Sequence, residues 1–300
     1  MAEFVNLYLI NGIVLGCVYG LGAIGITMIF GILRFGHFAH GDMMTAGAYI
    51  ALALVWASGM PVLWVLPLAM VLTAALGAGV HWAFYRPLER GGGFGSSTIV
   101  IVIASFGVAL MLRSLVQLFF GVDIVTYQRG FQTLIWIADT IRILPRHIWI
   151  IGLTIALVVV LHLFLTRSRL GKAMRAMSDN PSLARISGIG TTQVVIAAWV
   201  IGGALAAAGG VFLGIDTQLN SQMGWNLILP MFAAAVLGGI GNPIGAALGA
   251  LVVGIAEELV TYPWFGEPLI SPAYKSAVSF AILVGLLMWR PTGLTRGRVF

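Results

Sequence analysis

Long apolar stretches separated by short polar ones form the main pattern of this chain. A helix needs ~20 mainly apolar residues to cross a bilayer, and nine stretches come close to that length or exceed it: 5–33, 42–58, 62–84, 98–120, 147–165, 192–214, 225–240, 243–261 and 273–289. The shortest of them decide whether the total is eight or nine helices. Because the longest polar segments span only about 25 residues, we predict an all-α integral membrane protein with a single transmembrane domain, 1–300.

The composition agrees with this pattern. Hydrophobic residues make up 60% of the 300 residues and charged residues only 9%, against about 25% charged residues in soluble domains. The 39 glycines fit helices that pack closely through small residues. The single cysteine, Cys17, excludes an intrachain disulfide and a cysteine-based zinc site. The N-terminus carries Glu3 and no basic segment, so we interpret the first apolar stretch as a retained span.

Basic residues set the predicted orientation, because loops rich in Lys and Arg stay in the cytoplasm. The segment 166–190 holds five basic residues against Asp179 alone, and the tail after 289 holds three arginines. We predict that both are cytoplasmic, which leaves no need to invoke nucleic acid for the net charge of +6. Counting back places the N-terminus and the loop 121–146 outside. For that loop we predict a short helix near 131–138 and a surface for an external partner.

The charged segment 166–190 has its own internal pattern. Leu170, Met174 and Met177 fall on one helical face. Asn180 and Pro181 then supply a helix cap and a first helical residue, and the glycine at 188 suits a helix end. The segment therefore predicts two short helices with a sharp break. A basic loop held by anionic lipid is the alternative. However, the small residues between the charges do not protrude, so a partner protein can approach the backbone closely.

This segment, "TRSRLGKAMRAMSDNPSLARISGI", resembles the cytoplasmic loop of LivH-type permeases, the membrane subunits of ABC importers for branched-chain amino acids. Three further stretches extend the resemblance over most of the chain: "GLGAIGITMIFGILRFGHFAHGDMMTAGAY", "AAAVLGGIGNPIGAALGAL" and "LVGLLMWRPTGL". In that family the loop is a coupling helix that sits in a cleft of the ATPase subunit. The resemblance implies docking roles for Gly171, Lys172, Ala173, Arg175, Ala176, Ala184, Gly188 and Ile189.

The resemblance also implies the surroundings of the chain. It predicts a second homologous permease subunit, two cytoplasmic ATPase subunits and an external solute-binding protein that delivers leucine, isoleucine or valine. The location would be the bacterial inner membrane, in contact with lipid. Related permeases serve urea, amides and aromatic acids, so these solutes stay open. We predict no cofactor and no bound nucleic acid, and no catalytic residues, because ATP hydrolysis belongs to the partner subunits.

The stretch "RFGHFAHGD" places His37, His40 and Asp42 between two apolar runs. It is either a turn at the inner surface or a helix break within the bilayer that lines a path, as discontinuous helices do in transporters. Two His and one Asp without a cysteine are a weak zinc pattern, so we do not predict a metal site. We predict these three residues, with Asn220 and Asn242, as candidates for the translocation path.

Several other polar residues and motifs have both a structural and a functional interpretation. "GGIGNPIG" follows an apolar helix and the chain lacks the GxxxxGK[ST] motif, so we do not expect nucleotide to bind there. Arg113 lies in a span and either snorkels or pairs within the bundle. A polar cluster at the outer end of two spans is either a solvated loop, or an outer gate or binding-protein contact: Asp216, Asn220, Gln222 and Asn226. A proton-coupled transporter that uses His37, His40, Asp42 or Glu257 is the alternative function.

Overall fold

The structure is a computed structural model that describes residues 4–90, 98–127, 135–137, 141–263, 267–290 and 293–294. Helices dominate it. In chain order the elements are α1 (Ile10–Leu33), α2 (His40–Ser58), α3 (Val62–Val80), α4 (Arg86–Arg90), α5 (Thr98–Phe120), β1 (Ile135–Ile137), β2 (Ile141–Ile143), α6 (Pro145–Arg167), α7 (Arg169–Asp179), α8 (Pro181–Ile186), α9 (Thr191–Asp216), α10 (Met223–Asn226), α11 (Ile228–Gly238), α12 (Pro243–Val260) and α13 (Ser276–Trp289). A π-helical turn, Phe4–Leu9, continues into α1, and another, His81–Tyr85, extends α3.

Within the described residues, seven helical segments are long and apolar enough to cross a membrane: Phe4–Leu33, Val62–Glu89, Thr98–Phe120, Pro145–Arg167, Thr191–Asp216, Pro243–Val260 and Pro272–Trp289. The remaining two predicted stretches form α2, with 19 residues, and α11, with 11 residues. At about 1.5 Å per residue, α11 spans about 16 Å and reaches only part of the way across a bilayer. The prediction of an all-α polytopic protein with discontinuous elements is confirmed.

Helix α1 lies at the centre of the bundle. In the most apolar 18-residue stretch of Phe4–Leu33, 83% is buried within the protein. The corresponding figure for Pro272–Trp289, which contains α13, is only 6%. Helix α1 packs against α9, α11 and α12. A Cβ added to Gly254 on α12 would overlap the backbone nitrogen of Gly16 on α1, so the two backbones touch. This contact confirms that small residues are used for close helix packing.

The two ends of the bundle differ in structure. One end carries α7, α8 and the turn 239–242. At the opposite end, the loop after α5 joins the turn after α9 through a bridge between Val125 and Leu219, with N···O distances of 3.0 and 2.7 Å. Burial raises the pKa of Tyr127 in this loop well above its ordinary value, and its hydroxyl donates to the Ala48 carbonyl over 2.7 Å.

The prediction of a short helix near 131–138 is wrong where the structure describes that region. Residues 135–137 form strand β1, which pairs antiparallel with β2. The β-branched residues of "IWI" and "IRI" favour this extended pairing over a helix. Residues 131–134 and 138 lie outside the described ranges.

Candidate functional site

The chain breaks between α1 and α2 inside the bundle. Arg34 ends α1 with a left-handed backbone (φ 60°), and the chain then turns back among the helices. The backbone N–H of Phe38 donates to Ser105 Oγ over 3.3 Å, and Ser105 lies about 10 Å inside the start of α5. The structure therefore places this segment among the packed helices, and α2 begins in the interior of the bundle.

The two histidines of this break are buried and carry no accessible surface. The Nδ1 of His37 lies 3.2 Å from the Tyr85 hydroxyl, and its ring centroid lies 4.8 Å from that of Trp199. Neither ring nitrogen of His40 has a hydrogen-bond partner among the described residues. The described residues contain no group of three His, Cys, Asp or Glu side chains that could hold a metal ion. Both histidines thus lie in the interior of the bundle, and their role in the translocation path stays a prediction.

Asp42 forms an ion pair with Arg113 across the bundle. Nε of Arg113 donates to Oδ1 over 2.9 Å and Nη2 donates to Oδ2 over 3.1 Å. This bidentate geometry fixes both side chains. Asp42 is fully buried, and the Arg113 side chain is 15% exposed. Arg113 therefore pairs within the bundle instead of snorkelling.

A second helix break meets the first one. After α9 the chain turns back, forms the four residues of α10 and then starts α11. A Cβ added to Gly224 in α10 would overlap the carbonyl group of Gly41 in α2. The N–H of Gly224 donates to Thr45 Oγ1 over 3.0 Å. We call this contact the glycine junction, Gly41 with Gly224; it joins two discontinuous helices, an arrangement that transporters place around their solute sites.

A row of partly exposed aromatic rings runs beside the glycine junction. Phe38 stacks on Phe106 with centroids 4.3 Å apart and lies 5.0 Å from Phe232. Phe106 lies 6.1 Å from Trp225, whose ring centroid is 4.8 Å from Cζ of Arg113. We call these four rings the aromatic row. Sequence reasoning missed it because its members come from four separate segments, each of which has other apolar residues of equal prominence.

Asn220 and its neighbours form a structured turn. Oδ1 of Asn220 accepts a hydrogen bond from the N–H of Gln222 over 3.0 Å, and the Gln117 amide donates to Ser221 Oγ over 3.0 Å. Asp216 accepts from His147 Nε2 over 3.0 Å and lies 3.4 Å from Arg146. The Asn220 side chain thus stabilises its own turn, whereas Asp216 connects the end of α9 to the start of α6.

The segment 166–190 folds as two short helices, α7 and α8, as the sequence pattern predicts. Ser168 Oγ accepts from the N–H of Gly171 over 2.8 Å and caps α7. Asn180 Oδ1 accepts from the N–H of Leu183 over 3.0 Å and caps α8. Met174 and Met177 lie on the buried face of α7. Gly188, with φ of +79°, ends α8 in the left-handed conformation that suits glycine.

The predicted docking residues of this segment divide by exposure. Lys172, Arg175 and Gly188 are exposed, and Ala173, Ala176 and Ile189 are partly exposed. Gly171 and Ala184 are buried.

Those two predicted docking residues pack within the chain itself, and their docking role stays a prediction. A Cβ at Gly171 would overlap the Phe164 carbonyl, so this glycine lets α7 pack on α6. Sequence reasoning missed two apolar side chains that α8 presents to solvent, Leu183 at 57% exposure and Ile186 at 82%. We define the exposed face of α7 and α8 as the coupling surface: Lys172, Arg175, Leu183 and Ile186.

The coupling surface is joined to the interior of the bundle. Ser178 at the end of α7 faces Gly31 and Gly241, and the N–H of Gly241 donates to Thr27 Oγ1 on α1 over 2.7 Å. Asn242, predicted as a path residue, caps α12 by accepting from the N–H of Gly245 over 3.1 Å; its role in the path stays a prediction. A cavity of about 260 Å³ lies between α1, α6, α7 and this turn.

Comparison with known proteins places this architecture in a family. The model of the family described as "Branched-chain amino acid transport system / permease component" matches residues 8–287. The chain is 33% identical to the high-affinity branched-chain amino acid transport system permease protein LivH of Salmonella typhimurium, over 95% of this chain and 93% of that protein. It is also 33% identical to the corresponding protein BraD of Pseudomonas aeruginosa, over 95% and 94% of the two chains.

A solved structure supports the fold. PsaBC from Streptococcus pneumoniae in complex with Fab aligns with 94% of this chain and 91% of its own, with a TM-score of 0.50 and 15% identity. At that identity the likeness concerns the fold alone. The resemblance to LivH-type permeases is confirmed by the family model and by the full-length relatives. The chain belongs to the family of branched-chain amino acid transport permease components.

Proposed function

We propose that this chain is a membrane-spanning permease subunit of an ATP-driven importer that moves branched-chain or related apolar amino acids into bacteria. The observation that carries the proposal is the 33% identity to LivH and BraD along 95% of the chain. A zwitterionic solute with an apolar side chain suits a protein that has few charges and many apolar walls. The chain itself performs no chemistry in this proposal; it provides the path and the moving parts.

The glycine junction supports a transport role. Non-helical backbone at membrane depth is tolerated only where it is buried in protein or lines a water-filled cavity. Here two such breaks touch each other, and Asp42 and Arg113 lie beside them. Two half-helices that meet at glycines can shift relative to each other with little side-chain interlocking. We place the solute path along this junction.

The coupling surface supports energy input by separate subunits. It combines two exposed basic residues, Lys172 and Arg175, with two exposed apolar residues, Leu183 and Ile186. Apolar side chains at this exposure on a water-facing helix are typical of a protein contact rather than of a lipid-binding basic loop. We propose that the assembly contains two cytoplasmic ATPase subunits, one bound to this surface on each of the two permease subunits.

Contacts behind the coupling surface connect α7 to α1 and α11, so a displacement of α7 can be transmitted to these helices. Movement of α7 is passed through Ser178 to Gly31 and Gly241, and from Gly241 to Thr27 of α1. The turn that contains Gly241 lies between α11 and α12. A displacement of α7 therefore reaches α11, whose other end lies at the glycine junction.

The remaining partners follow from the two ends and the sides of the bundle. A second homologous permease subunit would cover the side that carries the aromatic row, and lipid would cover the rest. A solute-binding protein would dock at the end that carries β1, β2 and the bridge between Val125 and Leu219. We propose the bacterial inner membrane as the location.

The proton-coupled alternative has less support. Asp42 is held by Arg113, and Glu257 is buried and accepts hydrogen bonds from Tyr19 and Ser279 over 2.7 and 2.6 Å. His37 packs against Tyr85 and Trp199, and His40 is buried against His37 and Gly25.

Uptake by the reconstituted assembly tests the proposed solute. The chain is co-produced with the permease, ATPase and binding-protein genes encoded beside it, and uptake of labelled leucine, isoleucine, phenylalanine and urea is compared. We expect leucine and isoleucine to be taken up, each competing with the other. Uptake of urea or an amide with no uptake of leucine would reject the solute assignment while keeping the family.

A further inference from the structure

Arg113 has an exposed edge that lipid cannot cover favourably. It lies about 10 Å from one end of α5 and about 22 Å from the other, well within an apolar span. Ionisable residues at such depth face a cavity or a partner instead of lipid. Nε and Nη2 are used by Asp42, and no described residue accepts a hydrogen bond from Nη1. The Arg113 side chain is 15% exposed, and Nη1 is not among the fully buried unpaired polar atoms of the described residues, so the unused donor is accessible.

The aromatic row provides apolar walls next to that donor edge. Trp225 lies against the guanidinium at 4.8 Å, and Phe106, which is 38% exposed, lies 6.1 Å from Trp225. Phe38 and Phe232 continue the row towards the end that carries α7. A donor edge followed by aromatic walls matches a small molecule that has an anionic head and an apolar body.

We propose that Arg113 binds the α-carboxylate of the transported amino acid through Nη1, while Trp225 and Phe106 contact its apolar side chain. The proposal rests on the proposed function and names the solute site within it. Asp42 is a positioning residue: it fixes the plane of the guanidinium and cancels its charge. A neutral pair binds a zwitterion more weakly than an isolated cation would, and weak binding lets the solute leave.

This assignment makes the site selective for a chemical group. Guanidinium and carboxylate form charge-assisted hydrogen bonds, whereas urea and amino acid amides have no carboxylate to accept them. The site therefore discriminates leucine from leucine amide even when the side chain is the same. Aromatic walls tolerate several apolar side chains because their contacts are not directional.

Cysteine labelling tests whether position 106 is accessible from water and whether the solute occupies the space beside it. Cys17 is the single cysteine of the chain, so Phe106→Cys and Gly107→Cys are made with Cys17→Ala. Gly107 is the matched control: it lies at the same depth, about 100° around the helix, and a Cβ there has no atom within 4 Å. The reagent is a water-soluble methanethiosulfonate, which needs hydrated thiolate.

We expect the cysteine at 106 to react and the cysteine at 107 to remain unreacted. Millimolar leucine should slow the reaction at 106, and leucine amide at the same concentration should not. Equal reactivity at both positions, or equal protection by leucine and its amide, would overturn the proposal. This readout does not require the Arg113 variants to fold.

Transport by Arg113 variants tests the carboxylate contact in the whole assembly. In Arg113→Gln with Asp42→Asn, a neutral pair of similar shape remains, and we expect leucine transported per ATP hydrolysed to fall about 10- to 100-fold, the factor for a lost charge-assisted hydrogen bond. Arg113→Lys keeps the charge without the planar fork and should give an intermediate loss. Unchanged transport in the double variant would overturn the proposal, whereas absent leucine uptake by the wild-type assembly would reject the proposed function itself.

Discussion

The guanidinium of Arg113 on α5 holds the carboxylate of Asp42 at the start of α2 through two parallel hydrogen bonds of 2.9 and 3.1 Å. The pair fixes the point at which α2 begins inside the bundle. Because Gly41 precedes Asp42 and touches Gly224, the same pair also positions the second helix break. One ion pair thus connects a membrane-spanning helix to both discontinuous helices.

Removing one member of this pair should destabilise the protein strongly. Asp42→Asn leaves the Arg113 charge without its partner in an apolar span, and we expect a loss of about 3–5 kcal/mol in the free energy of unfolding. Thermal unfolding of the detergent-purified protein measures the change. Arg113→Gln added to Asp42→Asn should restore part of the loss because no unpaired charge remains.

A more exposed ion pair provides the control for that prediction. Lys275 and Glu258 lie 2.7 Å apart with side chains 35% and 15% exposed. Lys275→Gln should cost at most about 1 kcal/mol. A loss of similar size in Asp42→Asn and Lys275→Gln would show that Arg113 and Asp42 are not a buried structural pair.

A side chain at the glycine junction should disrupt it. Gly224→Ala places a Cβ against the Gly41 carbonyl, and neither backbone can move without displacing a helix. We expect a loss of about 1–3 kcal/mol or more and a matching loss of uptake by the assembly. The control is Gly285→Ala, because a Cβ at Gly285 has open space within 4 Å. Wild-type stability and transport in Gly224→Ala would contradict close contact at this junction.

The coupling surface should be sensitive to charge at Ile186. This side chain is 82% exposed, so Ile186→Glu should change the stability of the permease by no more than about 0.5 kcal/mol. Its cost should appear in ATPase binding, measured by co-purification and by uptake, because a buried charge weakens an apolar contact. Ile186→Leu keeps an apolar side chain and should retain both. Full ATPase recovery with Ile186→Glu would remove Ile186 from the proposed contact.

Several features of the fold could be predicted from the sequence because they depend on local pattern. Apolar length gave the spans, and the cap chemistry of Asn180 with Pro181 gave the break between α7 and α8. Small residues were harder to interpret. A glycine serves equally well on a docking surface or within a helix contact, and only the position of Phe164 shows that Gly171 takes part in a helix contact.

Other features depend on contacts between distant segments and were missed. Asp42 and Arg113 are 71 residues apart, and periodicity reports that a residue is buried without naming its partner. The aromatic row has the same origin, since Phe38 and Phe232 meet only after α11 has packed. The start of α2 inside the bundle could not be separated from a surface turn, because both place polar residues between two apolar runs.

The energy source of transport tests the central claim most directly. Proteoliposomes that contain the complete assembly are loaded with ATP on the ATPase side, and labelled leucine uptake is measured in the presence of the binding protein, with and without a protonophore. We expect uptake that requires ATP and continues when the protonophore has collapsed the proton gradient. Uptake that proceeds without ATP and stops when the proton gradient collapses would contradict the assignment of this chain as a subunit of an ATP-driven importer.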